Sequence, residues 1–152
     1  MESRTFYNEV LTEHNIHPTH KVKLMKPASE LRGVNPSCGD DITLQLVVNG
    51  DGIIEDGGFV GDGCAISQAS ADMMLDLVIG KSKEEALKLK DTFLRMIKEK
   101  LTEEELDTLE EAQALQDISH MPSRVKCAVL GWHTLDEILN GNGKDSVSTE
   151  DQ

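Results

Sequence analysis

The chain changes its hydrophobic period at Cys64, and that switch restricts its fold more than any other feature. Upstream, Ile42, Leu44, Leu46 and Val48 alternate with Thr43, Gln45 and Val47, the period-two pattern of a strand with one buried face. Asn49-Gly50-Asp51-Gly52 is a strong turn sequence, and Ile53 to Val60 supplies the returning strand. Gly57-Gly58 inside that strand predicts a bulge or a close approach of backbone. From Cys64 onward, Ile66, Ala69, Met73, Met74, Leu77 and Val78 form one helical stripe, closed by Gly80 as a C-terminal cap.

The remaining elements follow from capping chemistry. Ser82 with Glu85 opens a helix running to about Lys100, and Thr102 with Glu105 opens another over Glu103 to Gln116. Pro122 fits the first turn of a last helix, Ser123 to Leu139. Before the strands, Tyr7 to Ile16 reads as a short amphipathic helix, and His17 to Asn35, with two prolines and Gly33, as largely irregular chain. Strands followed by helices imply an α+β fold, a small antiparallel β-sheet packed against several α-helices. Residues 1–140 form one domain in this reading, and 141–152 a flexible tail of Gly, Asn, Ser and charge.

Composition excludes whole classes of function. Acidic residues outnumber basic ones 28 to 15, a net charge of −13, which argues against nucleic-acid binding. No apolar run approaches the roughly 18 residues a membrane span requires. Met1-Glu2-Ser3-Arg4 lacks the basic and apolar regions of a signal peptide. With three cysteines only, reduced thiols and a cytoplasmic location are expected.

Those cysteines carry the chemistry. They stand in Ser37-Cys38-Gly39-Asp40, Gly61-Asp62-Gly63-Cys64 and Val125-Lys126-Cys127, and none has a second Cys within a few residues. Three thiolates and one carboxylate would fill a tetrahedral zinc site, provided the fold brings three segments together. Cys64 starts a helix, whose dipole favours thiolate; the competing reading is a small buried hydrophobe. Cys38 lies in a loop open to a partner, or is an incidental surface thiol. Asp40 is either a loop aspartate or, two residues from Cys38, a ligand to the same ion. Cys127 is a helix-interior residue with Arg124 three positions earlier on the same face and Lys126 beside it. Either these cations favour its thiolate or they are a solvated patch beside a buried Cys. His14, His17 and His20 read as polar surface, because Pro18 interrupts any helix that would align them. Eight acidic residues between Glu99 and Asp117 read as a solvated helical face, or as a docking surface for a basic partner.

Cys-Gly-Asp ahead of an alternating strand, Gly-Cys-Ala-Ile-Ser opening a helix, and a late helical Cys together resemble the iron–sulfur assembly scaffolds of the IscU/NifU type, over about Phe6 to Leu139. Within that family the chain is most similar to the SufU branch of zinc-dependent sulfur-transfer proteins. Lys126 stands where scaffolds of the IscU type have His, and Met121 to Lys126 lacks their chaperone-recognition motif. The stretch between Cys64 and Cys127 is also longer, with the extra length near Glu99–Asp117. The resemblance implies metal ligands Cys38, Asp40, Cys64 and Cys127, with Arg124 and Lys126 supporting. It implies Zn2+ as cofactor, with iron or a [2Fe–2S] cluster on the same ligands as the alternative. It further implies a pyridoxal-phosphate cysteine desulfurase as sulfur donor, Cys38 as the acceptor that attacks its persulfide, and downstream iron–sulfur assembly proteins. Two other functions stay open: a scaffold assembling a [2Fe–2S] cluster for apo-proteins, and a structural zinc adaptor.

Overall fold

In the computed structural model, residues 3–25, 29–141 and 146–149 are described. The order is α1 (Ser3–Ile16), β1 (Ser29–Asn35), β2 (Asp40–Val48), β3 (Ile54–Asp62), α2 (Ala65–Val78), α3 (Lys83–Lys98), α4 (Glu103–Thr108), a 3₁₀ segment (Glu110–His120), α5 (Pro122–Asn140) and β4 (Ser146–Ser148). The α+β architecture expected from the sequence is therefore present. β1, β2 and β3 form an antiparallel sheet, and β4 adds a short parallel edge beside β1. Ser146–Ser148 falls inside the stretch read as a flexible tail.

β1 lies in the stretch read as irregular. Its inward positions are Leu31, Gly33 and Asn35, so its buried face is not an apolar row. Gly33 sits there because α5 packs against it: a Cβ would overlap the Thr134 hydroxyl and lie 3.2 Å from Leu130. β2 buries Ile42, Leu44 and Leu46 as the alternation predicts, β3 is the returning strand, and the bulge is at Val47/Val48 and not at the glycines. Gly57 and Gly58 serve the other expectation, close approach. A Cβ at Gly58 would lie 2.5 Å from the Val22 carbonyl oxygen.

α2 buries the whole predicted stripe and crosses α5 at the centre of the molecule. Both capping boxes form, at Ser82/Glu85 and Thr102/Glu105. The second helix is shorter than read. α4 ends at Thr108, Glu110 adopts φ 48°, and the chain continues as a 3₁₀ helix. Leu109, Ala112, Leu115 and Ile118 are all buried at a spacing of three, which a 3.0-residue turn stacks on one side. Trp132 and Phe93 are stacked, ring centroids 4.9 Å apart, so aromatic rings join the aliphatic and Met core.

His14 is not on the polar surface. It is 6% exposed, one turn beyond buried Val10, with Nδ1 2.6 Å from the fully buried Asp72 of α2. Asp72 also accepts the His20 and Thr19 amides. Burial would raise the Asp72 carboxyl, but His14 and those two amides outweigh it and hold it below the usual carboxylate range.

Gly61 fixes the exit of β3 toward Cys64. Its φ is +117°, and a Cβ would overlap the Asp41 carbonyl oxygen across the sheet. Gly61→Ala is expected to cost about 3 kcal/mol, from strain plus the overlap. Thermal melting should show a fall of roughly 6–12 °C for a chain of this size. An unchanged Tm would refute the account.

Candidate metal centre

One end of the sheet gathers the three segments. β1 and β2 form a hairpin in which Asn35 and Asp40 are cross-strand partners, so Pro36-Ser37-Cys38-Gly39 is its tip. The Cys38 amide donates to the Asn35 carbonyl at 3.2 Å, and Gly39 takes φ +74° to close the turn. β3 ends beside β2, with Asp62 opposite Asp41, and two residues later Cys64 begins α2. α5 starts at Pro122 and brings Arg124 and Cys127 to the same end. The fold thus does what the separated cysteines require.

The ligand atoms of Cys38, Asp40 and Cys127 all lie within 4.8 Å of one another. Cys64 is not within that distance of all three; it stands beside Cys127 as the N-cap of α2, where its sulfur accepts the Ser67 amide at 3.4 Å. The thiols differ in access: Cys38 is exposed, Cys64 half-buried, Cys127 fully buried. Burial pushes the Cys127 thiol far up, and its contacts with Cys38, Cys64 and Asp40 push it further. In the metal-free protein, iodoacetamide is expected to label Cys38 first and Cys64 next, leaving Cys127 unmodified until the domain opens. Mass mapping of a time course checks this, and early labelling of Cys127 would contradict the packing.

Asp40 is 2% exposed and is held as an anion. Burial would raise its pKa, but donors override that and lower it: the Cys64 amide, Asn35, the Cys127 thiol and Ser67. Oδ1 accepts the Cys64 amide at 2.8 Å and the Ser67 hydroxyl at 3.1 Å. Oδ2 accepts the Asn35 amide at 3.0 Å. The same amide group lies 3.4 Å from the Cys127 sulfur, and Thr149 donates to Asn35 Oδ1 at 3.0 Å. Asn35 orients Asp40 and Cys127, Ser67 orients Asp40, and sequence reading missed both. The signal for Ser67 was its place three residues after Cys64, where a helix cap is answered. Asn35 gave none, because an inward strand position normally carries an apolar side chain.

Arg124 is held above its usual value, first by a hydrogen bond with Cys127 and then by Cys64, Cys127 and Cys38 as charges. It is therefore a hydrogen-bond partner of Cys127, with the other two sulfurs near enough to act on its charge. Lys126 is half-buried and lies about 100° around α5 from Cys127. The donor set, three sulfurs and one carboxylate oxygen, fits zinc or a thiolate-ligated iron centre.

A sheet-and-helix domain that gathers three thiols and a carboxylate at one end, with the nearest thiol open to solvent, defines a class of thiolate metal-binding protein. The chain belongs to the NifU-like N terminal domain family, whose profile matches residues 6–140. It is 38% identical over 133 residues to the zinc-dependent sulfurtransferase SufU of Bacillus subtilis (strain 168), covering 88% of each chain. It is 42% identical over 135 residues to the iron–sulfur cluster assembly scaffold protein IscU of Streptococcus pyogenes serotype M1, covering 88% of this chain and 82% of that one. Among solved structures, FiSufU from the thermophilic Fervidobacterium islandicum AW-1 aligns with TM-score 0.80 at 35% identity, over 91% of this chain and 99% of that one. Among the described residues no helix is long and apolar enough to cross a membrane.

Proposed function

We propose that the protein works in iron–sulfur cluster assembly as a zinc-dependent sulfur acceptor, taking persulfide sulfur from a pyridoxal-phosphate cysteine desulfurase onto Cys38. The observation that carries this reading is the unequal access of the three thiols. Cys38 alone stands exposed on a hairpin tip, while Cys64, Cys127 and Asp40 sit behind it. The printed function of the Bacillus relative, a zinc-dependent sulfurtransferase, supports it.

Cys38, Asp40, Cys64 and Cys127 would hold the zinc. Bound there, zinc would keep the thiolates ionised and close the domain around them. The Cys38 sulfur then attacks the outer sulfur of the donor persulfide. A new S–S bond forms on Cys38, the S–S bond to the donor cysteine breaks, and that cysteine leaves as thiolate, with no net redox change. Arg124 stabilises the anionic sulfur through its charge, and Lys126 adds to the local positive field. Downstream assembly proteins take the sulfur onward.

The test is cysteine turnover by a cognate desulfurase with and without the zinc-loaded protein. Strong stimulation supports the reading, and no stimulation overturns it. A second reading, a scaffold that builds a [2Fe–2S] cluster as cargo, is favoured by the IscU relative and by a donor set that suits iron equally. Labile sulfide bound after anaerobic reconstitution and passed to an apo-ferredoxin would select it. A closed structural zinc adaptor fits less well, because it would leave no ligand thiol exposed.

A further inference from the structure

A second group of metal-ligating side chains lies away from the cysteines, between α1, α2 and the 3₁₀ segment. A His14 ring nitrogen, an Asp76 carboxylate oxygen and a Glu111 carboxylate oxygen all lie within 4.8 Å of one another. Asp76 is twelve residues along α2 from Cys64, about 18 Å at 1.5 Å per residue, so the two groups are separate.

The hydrogen-bond partners show how the group is oriented. Asp72 Oδ2 is 2.6 Å from His14 Nδ1, and an ionised carboxylate only accepts, so Nδ1 carries a proton. That leaves Nε2 directed at Glu111 Oε1, 3.1 Å away, which also only accepts. Asp76 brings a carboxylate oxygen to the same group. A fully buried carboxylate fixing the far nitrogen of an imidazole is the outer-shell arrangement that orients a metal-binding histidine. Asp76 is oriented in turn by His20, whose Nε2 is 2.7 Å from its Oδ1. On the open side, a hollow of about 340 Å³ lined by Met73, Asp76, Leu77, Glu110 and Glu111 leaves room for water to complete a coordination sphere.

We propose that His14, Asp76 and Glu111 form a second cation site, oriented by Asp72 and His20, that takes a divalent first-row transition ion. The imidazole selects against Mg2+ and Ca2+, and the absence of sulfur separates the site chemically from the cysteine pocket. The dication offsets the crowded carboxylates. The inference does not depend on sulfur transfer.

The probe is Co2+ alone, titrated into the metal-free full chain. Two equivalents are expected. One brings the near-ultraviolet sulfur-to-cobalt absorption of the cysteine pocket, and the other adds only weak visible bands of nitrogen and oxygen ligation. Glu111→Gln and Asp76→Asn, both at exposed positions, should each weaken the sulfur-free equivalent by at least about tenfold. Both should keep the sulfur-to-cobalt band, which reports that the variant is folded. A single sulfur-bound equivalent in the unaltered chain would overturn the proposal. So would a sulfur-free equivalent that survives in both variants.

Discussion

Cys38→Ala is expected to yield a folded protein that still takes up zinc and accepts no sulfur. Its exposed thiol makes a long contact to the Ser123 carbonyl, 3.8 Å, and touches Cys127, whose sulfur keeps the Asn35 amide as a partner when Cys38 is removed. Cys64, Asp40 and Cys127 would still offer three ligands, the number that open zinc sites use. Stimulation of the desulfurase should fall to background, a loss of at least about 100-fold, as when any attacking group is deleted. Cys64→Ala differs in kind. It removes a ligand and also the side chain that caps α2 by accepting the Ser67 amide, so zinc content should fall further. Metal analysis and cysteine turnover on both variants separate the roles. Equal zinc loss in the two, or undiminished transfer in Cys38→Ala, would count against Cys38 as the acceptor.

The second large effect belongs to Asp40. Asp40→Ala removes the acceptor for the Cys64 amide, the Ser67 hydroxyl and the Asn35 amide at once, in a place 2% exposed. Each stranded buried donor costs about 1–3 kcal/mol. With partial relaxation toward water the net loss should be about 3–4 kcal/mol. For a domain of this length that is a Tm lower by roughly 10 °C. Zinc affinity should fall with it. Asp40→Asn keeps one accepting oxygen but no charge, so it should recover part of the stability and little of the metal binding. Matching Tm values for Asp40→Ala and the parent would mean that the three donors find other partners.

What the sequence disclosed, and what it hid, divides along a physical line. The hairpin at Asn49 to Gly52, the α2 stripe and both capping boxes are local patterns, readable because each uses neighbouring residues. The motifs also named Cys38, Asp40 and Cys127, whose ligand atoms lie within 4.8 Å of one another. β1 was not, because Gly33 and Asn35 occupy inward positions for reasons lying in α5 and in the cysteine pocket. The 3₁₀ segment carried its own clue in the three-residue spacing of Leu109, Ala112, Leu115 and Ile118, but capping at Thr102 suggested one continuous α-helix. His14 was misplaced because its partner, Asp72, lies 58 residues away on a helix that otherwise buries mainly small and apolar side chains.

The hydrogen bond from Thr149 to Asn35 has a practical side for anyone who handles this protein. Thr149 is 3% exposed, and its partner touches both Asp40 and Cys127. A label or fusion joined beside Thr149 would therefore fall next to a contact that steadies two residues of the candidate metal centre. Metal stoichiometries obtained with a label beside Thr149 should be compared with those of the unlabelled protein.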